Sequence, residues 1–269
     1  MIEVYAVKLN FSTRLSPGIV DELMNQVDPS KESRLRRFVR EEDRLRGLFA
    51  DLLIRDLIMK KLMMNNEDIE FTTNEYGKPF LKTDSDFYFN ISHSGNWVVC
   101  AIDCQHVGID IEEIQPIDLD ISKHYFSEDE HRDLMAKEDR LSYFFTLWSL
   151  KESYIKILGK GLSHPLNAFS IKFVDEKEII IKENGFVQDQ YRFAQYDIDK
   201  SYKMGLCAMH KSLPNHVDIR SMEDLIRVFI KHYDTRQYWN PLITSPKEST
   251  SPVNGPYGTG FQTYRDYFS

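Results

Sequence analysis

Two stretches of the chain carry side chains that could do chemistry together. Residues 90–112 read NISHSGNWVVCAIDCQHVGIDIE. The end of this stretch alternates, with Val107, Ile109 and Ile111 on one side of an extended segment and Gly108, Asp110 and Glu112 on the other. Residues two apart on a strand are about 6.6 Å apart at the backbone, so Asp110 and Glu112 can converge on one cation. Oxygen-only ligands suit a hard ion such as Mg²⁺, which keeps waters and substrate phosphates as its other ligands. Alone, Asp-x-Glu reads first as the wet face of a half-buried strand. Residues 141–161, LSYFFTLWSLKESYIKILGKG, have helical spacing. Leu141, Phe144, Trp148, Ile155 and Leu158 share one broad face, and Ser149, Glu152 and Lys156 line another. Glu152 is a third carboxylate and Lys156 a cation one turn later, a set that suits a metal–diphosphate site. Taken alone, the pair is an ordinary solvent-facing ion pair.

The elements that must position these groups are also readable. Phe87, Phe89 and Ile91 alternate with Tyr88, Asn90 and Ser92; a turn follows at residues 94–96, and residues 98–102 form an apolar run suited to a buried strand. Residues 2–9 alternate as a strand. Asp28-Pro29 is a helix start, and helices are expected over residues 30–39 and 41–64. Between Lys31 and Arg46 there are seven basic residues and four acidic ones, a local excess of +3 in a chain whose formal charge is −8. Lys31 and Arg34 share a helix face and could hold a phosphate, although composition alone makes a basic run a solvated face. Residues 75–79, EYGKP, are a turn. His93, in a Ser-His-Ser-Gly turn, is accessible and can donate to a diphosphate. Ser127 and Glu130 have capping-box spacing. Residues 169–173 and 202–210 read as strands, and residues 221–233 as an amphipathic helix capped by Ser221. Residues 241–260 are rich in Pro, Gly, Ser and Thr and read as disordered.

At 269 residues, 42% hydrophobic and 28% charged, the chain has the composition of a soluble globular protein with ample core. Its acidity argues against nucleic acid or an anionic membrane as partner. No run of eighteen apolar residues and no signal-peptide pattern is present. Cys100, Cys104 and Cys207 show neither metal-ligand spacing nor a disulfide framework, which fits a reducing cytoplasm.

NISHSG, GIDIE and WSLKESYIK, in this order, with FTTNEYGKPFL upstream and GKGLSHPLNAFSIKF downstream, resemble the 4′-phosphopantetheinyl transferase superfamily of the Sfp type, activators of nonribosomal peptide synthetase carrier domains. The likeness runs from about residue 2 to residue 225. It implies an α/β (α+β) fold of two similar, pseudo-symmetric halves, each a small antiparallel sheet packed on a long helix. The halves are expected at residues 1–107 and 108–222, with residues 223–269 as an extension. The implied reaction moves 4′-phosphopantetheine from coenzyme A to a serine of a peptidyl or acyl carrier protein, releasing 3′,5′-ADP.

By the same resemblance, Asp110, Glu112 and Glu152 hold Mg²⁺ (or Mn²⁺), and Lys156 and His93 neutralise the diphosphate. Lys31 and Arg34 approach the 3′-phosphate of coenzyme A, with Arg46 close by. Gly77, Lys78 and Pro79 lie along the adenine, the Lys78 charge facing phosphate. Ser92 and Lys151 complete the coenzyme contacts, and Glu130 is a secondary candidate near the active-site lysine. The serine proton goes to Glu152, Glu130 or a metal-bound water. The carrier docks near residues 159–190, and the enzyme is expected to be a cytoplasmic monomer. Two rivals remain: another Mg²⁺-dependent enzyme acting on diphosphates, and a non-catalytic binder of coenzyme A or carriers.

Overall fold

The structure is a computed structural model and describes residues 1–175, 178–231, 233 and 239–241. The first strand, β1 (Glu3–Lys8), is followed by the short β2 (Thr13–Leu15) and three helices, α1 (Pro17–Met24), α2 (Pro29–Leu35) and α3 (Glu41–Leu62). Next come a hairpin, β3 (Phe71–Thr73) and β4 (Pro79–Leu81), and then three consecutive strands, β5 (Tyr88–Ser94), β6 (Trp97–Asp103) and β7 (Val107–Glu113). After them come α4 (Ser122–Tyr125), α5 (Glu128–Ala136) and the long α6 (Arg140–Leu158). It continues through β8 (Phe169–Phe173), β9 (Ile179–Glu183), β10 (Phe186–Val187), β11 (Arg192–Gln195) and β12 (Tyr202–Ala208). The chain then runs through β13 (Asp218–Ser221) and α7 (Met222–Phe229) to β14 (Trp239–Pro241), which pairs with β2.

The architecture is the expected mixture of small sheets and long helices. Two of the sheets frame the site, the first with the order β13-β1-β6-β5 and the second β11-β12-β7. Helix α3 covers the outer face of the first, where Leu48, Phe49, Leu52 and Leu53 pack with Phe89, Ile91, Val98 and Cys100. The inner faces of the two sheets meet in a separate apolar layer built from Val99, Ala101, Ile109, Ile111, Met204 and Leu206. Helix α6 covers the outer face of the second sheet. The antiparallel rule has one exception, since β13 returns to pair parallel with β1. Helix α7 follows it and puts Met222, Leu225 and Ile226 into the core of the first half.

Helix α6 departs from the two-faced pattern read in the sequence. It is buried on all sides from Phe144 to Ile157, polar residues included. The cause is its closeness to the sheet. A Cβ on Gly108 would stand 2.0 Å from the Ser153 carbonyl oxygen and 2.6 Å from the Ile157 nitrogen, and one on Gly205 would stand 2.8 Å from the Ser149 oxygen. Two glycines on adjacent strands and two small serines on the helix therefore let backbone approach backbone. The disorder expected over residues 241–260 lies outside the described residues, apart from Pro241 at the end of β14.

Since neither wall of the Gly108 contact is a movable side chain, Gly108→Ala should destabilise the protein by about 1–3 kcal/mol or more. Gly18→Ala, with nothing within 4 Å of the added carbon, should be neutral or slightly stabilising. Urea unfolding of the two variants checks the contrast, and equal midpoints would contradict the close contact.

Candidate active site

Strands β5 and β7 are edges of their own sheets, and polar side chains join them. Asn90 Oδ1 accepts from the Ile109 N–H at 2.8 Å, and Ser94 Oγ accepts from the Glu113 N–H at 3.0 Å. Between them the Ser92 hydroxyl donates to Asp110 Oδ1 at 2.9 Å. The alternation of β5 gives these three residues one face, so every second side chain answers β7. Asp110 and Glu112 thereby face α6, whose Glu152 and Lys156 come to the same place.

The result is a buried cluster with more negative than positive charge. Lys156 Nζ lies 2.6 Å from Asp110 Oδ1 and 2.9 Å from Ser92 Oγ. Asp110 Oδ2 is buried and has no hydrogen-bond partner. Glu112 receives the Ser94 hydroxyl at 3.3 Å. Burial, and then the neighbouring Asp110 charge, lifts the Glu152 pKa to about 8 and Glu112 well above the usual carboxylate range. Asp110 is also raised by burial, against the pull of Lys156. Three carboxylates against one ammonium leave a formal charge of −2, the complement of one divalent cation. The unpartnered Asp110 oxygen and the all-oxygen donor set fit Mg²⁺ or Mn²⁺. The three carboxylates do not gather as tightly as Asp103, Cys104 and His210, which among the described residues bring one ligand atom each within 4.8 Å of the others.

Beside the acids lies a region of positive charge. His93, the next residue along β5 from Ser92, has its pKa pulled down to about 3 by burial and then by Arg46, Lys156 and Lys31. Cations from three helices therefore act on one neutral imidazole. Burial likewise draws Lys31 on α2 down to about 8, and the Arg34 and Arg55 charges act in the same sense against Asp51 and Asp28. Arg46 Nη1 donates to the Gly95 carbonyl at 2.8 Å and fixes the turn that follows His93.

Other expected site residues are turned elsewhere. Lys78 is buried, with Nζ 2.7 Å from the Lys156 carbonyl and 3.4 Å from those of Ile157 and Val107. Its charge is directed at the C-terminal carbonyls of α6, where a cation complements the helix dipole, and burial lowers its pKa to about 8. Gly77 takes φ +86° in this turn, and Pro79 opens β4. Asn74 completes the attachment: its Oδ1 accepts from the N–H groups of Tyr76 and Lys78, while Nδ2 donates to the Gly159 carbonyl at 2.7 Å. Lys151 lies in a second buried ion pair. Its Nζ is within 2.8 Å of both Glu130 oxygens and of the Phe169 carbonyl. Glu130 also accepts from Ser127 N and Ile171 N, so it serves the α5 capping box and β8 together.

Comparison with known proteins gives the same assignment. The family model described as 4'-phosphopantetheinyl transferase superfamily matches residues 106–207, and that described as 4'-phosphopantetheinyl transferase, N-terminal, matches residues 18–105. The 4'-phosphopantetheinyl transferase Sfp of Bacillus subtilis (strain 168) is 42% identical over 208 residues, covering 77% of this chain and 92% of that protein. The transferase gsp of Aneurinibacillus migulanus is 37% identical, covering 86% of this chain and 96% of its own. The human L-aminoadipate-semialdehyde dehydrogenase-phosphopantetheinyl transferase is 27% identical, covering 75% and 73%. The chain belongs to the 4′-phosphopantetheinyl transferase superfamily and is an enzyme of the Sfp type.

The buried Lys151–Glu130 pair generates a sharp expectation. Lys151→Ala leaves a buried carboxylate without its counter-ion and should lower stability by about 3–5 kcal/mol. A variant with unchanged urea midpoint but a raised KM for coenzyme A would instead place Lys151 on the substrate.

Proposed function

We propose that this enzyme transfers the 4′-phosphopantetheine group of coenzyme A to a serine of an apo carrier protein, with Mg²⁺ as cofactor and 3′,5′-ADP as the other product. One observation carries the reading: Lys156 belongs at once to the acidic cluster and to the cationic ring around His93. A ligand spanning that boundary needs a metal-binding diphosphate at one end and further anionic charge beyond it. Coenzyme A has both.

The serine oxygen forms a bond to the β-phosphorus while the bond from that phosphorus to the oxygen bridging toward the adenosine breaks. Most of the rate enhancement in such transfers comes from positioning and charge neutralisation. Asp110, Glu112 and Glu152 would hold the cation, which supplies Lewis-acid polarisation and a template for the diphosphate. Lys156, anchored by Asp110 and Ser92, presents its charge to the diphosphate oxygens. His93, neutral among cations, donates one N–H to them. Glu130 is unsuited to be the base, because both its oxygens are already engaged twice. Glu152, held beside the cation and the diphosphate by α6, is the remaining carboxylate candidate to accept the serine proton.

Lys31 and Arg34, three residues apart on α2, would take the 3′-phosphate, and Arg46 would steady the turn beside the diphosphate. Adenine would lie along Gly77, Lys78 and Pro79, with the backbone of the turn in contact, since the Lys78 ammonium points into the protein. Val174, just past the end of β8, and Phe186 and Val187 of β10 are exposed and support carrier docking in the region of residues 159–190. The mass of an apo carrier protein after incubation with coenzyme A and Mg²⁺ tests the activity directly. Gain of one phosphopantetheine group is the expected result.

Asp110→Ala or Glu152→Ala should remove most of the turnover, because each supplies charge where a metal ion is worth several kcal/mol of transition-state stabilisation. Near-normal turnover in either variant would refute the metal assignment.

Lys31→Ala and Arg34→Ala remove groups remote from the reacting phosphorus, so the loss should fall on the KM for coenzyme A. A charge-assisted hydrogen bond contributes roughly 1.5–3 kcal/mol, or about one to two decades in affinity. With 3′-dephospho-coenzyme A the wild type should already be impaired and the substitutions should add little. Equal harm with both donors would move these residues to the carrier or to the fold.

A further inference from the structure

The turn between β6 and β7 and the segment just after β12 bring three ligand-type residues together, away from the acids of the active site. The pairing of Ala208 with Val107 sets the end of β12 beside that turn, and His210 follows two residues later. Asp103 closes β6 and Cys104 begins the turn. One ligand atom from each residue lies within 4.8 Å of the other two.

The arrangement has the geometry of ligation and lacks that of a nucleophilic relay. His210 Nε2 is 2.9 Å from Asp103 Oδ1 and 3.7 Å from Cys104 Sγ. A cysteine–histidine–aspartate relay places the thiol on one ring nitrogen and the carboxylate on the other. Here both approach Nε2, so sulfur, nitrogen and oxygen gather on one side of the ring. Tetrahedral coordination at ordinary zinc bond lengths sets sulfur and nitrogen about 3.6 Å apart and nitrogen and oxygen about 3.4 Å apart. The sulfur–nitrogen spacing of 3.7 Å already matches, and the 2.9 Å between nitrogen and oxygen is a direct hydrogen bond that would open by about half an ångström as the ion enters.

A second observation points the same way. Asp103 is 5% exposed, and its Oδ2 is buried without a hydrogen-bond partner. Its other oxygen already accepts from the Cys104 N–H at 2.7 Å. An unsatisfied carboxylate oxygen in such a place is costly, and a cation held through Oδ2, beside the Oδ1 that His210 approaches, would complete it.

We propose that Asp103, Cys104 and His210 form a binding site for zinc or a similar borderline transition-metal ion, with water or an external ligand in the fourth position. A thiolate and an imidazole select against Mg²⁺, so this site and the acidic cluster take different metals. They are also apart in space: Glu112 is five residues along β7 from Val107, about 17 Å at strand spacing. The ion would tie the end of β6 in one sheet to the end of β12 in the other. Binding displaces the protons of the Cys104 thiol and of His210 Nε2, so affinity rises with pH. Cys104 is exposed, which gives the ion an entry path.

The test uses the full chain stripped with a chelator and then held in excess Mg²⁺ to fill oxygen-only sites. Titration with Co²⁺ should produce a thiolate-to-cobalt charge-transfer band that saturates at one equivalent and is bleached by Zn²⁺. Cys104→Ser should abolish the band, His210→Ala should weaken binding by more than about tenfold, since even outer partners of metal ligands contribute that much, and Asp110→Ala should retain it. Zn²⁺ should raise the Tm of the wild type and leave that of Cys104→Ser unchanged. Circular dichroism of Cys104→Ser verifies its fold. A wild type without the band, a band that survives Cys104→Ser, or a band lost in Asp110→Ala would each overturn the proposal.

Discussion

The structure depends on a seam between two strands that share no backbone ladder. Asn90, Ser92 and Ser94 of β5 reach β7 with side chains where a neighbouring strand would use its main chain. This satisfies N–H groups on an edge that would otherwise invite another strand. It also leaves the separation of the two sheets to three short polar side chains, and the acids of β7 open beside it. A continuous sheet would have spent the same hydrogen-bonding positions on pairing. The reactive cluster exists because the halves are joined this way.

The two halves are also tied at the far end of α6. The turn containing Asn74 and Lys78 belongs to the first half, yet it satisfies the last carbonyls of the helix that carries Glu152 and Lys156. The turn proposed to lie along adenine therefore also holds the position of the groups proposed to act on the diphosphate. Binding energy gathered on the adenosine side has a short covalent and hydrogen-bonded route to the reacting side.

Much of this was legible in the sequence, and the reasons differ from case to case. Alternation gave β5 and β7, the apolar run gave β6, and helical period gave α6; Ser127 and Glu130 announced their cap. Asp110, Glu112, Glu152 and Lys156 were readable because strand and helix spacing puts each pair on one side. The burial of α6 was not, since period alone does not reveal that Gly108 and Gly205 let a helix press onto a sheet. Nor were the inward turn of Lys78 and the pairing of Lys151 with Glu130, because a lysine's long stem can carry its charge to either side of an element. Cys104 and His210 are 106 residues apart, so no local spacing could signal their meeting. The path of β13 and α7 back to the first half was hidden for the same reason.

That return path bears on how the protein is made. The first half cannot close its apolar core until Met222, Leu225 and Ile226 have been synthesised, although its first strand begins at Glu3. At about 5–20 residues per second, some 10–40 s of translation separate β1 from its parallel neighbour. Throughout that interval one edge of β1 is exposed on the nascent chain. The N-terminal sheet, whose strand β1 is the first to be made, is among the last to be finished.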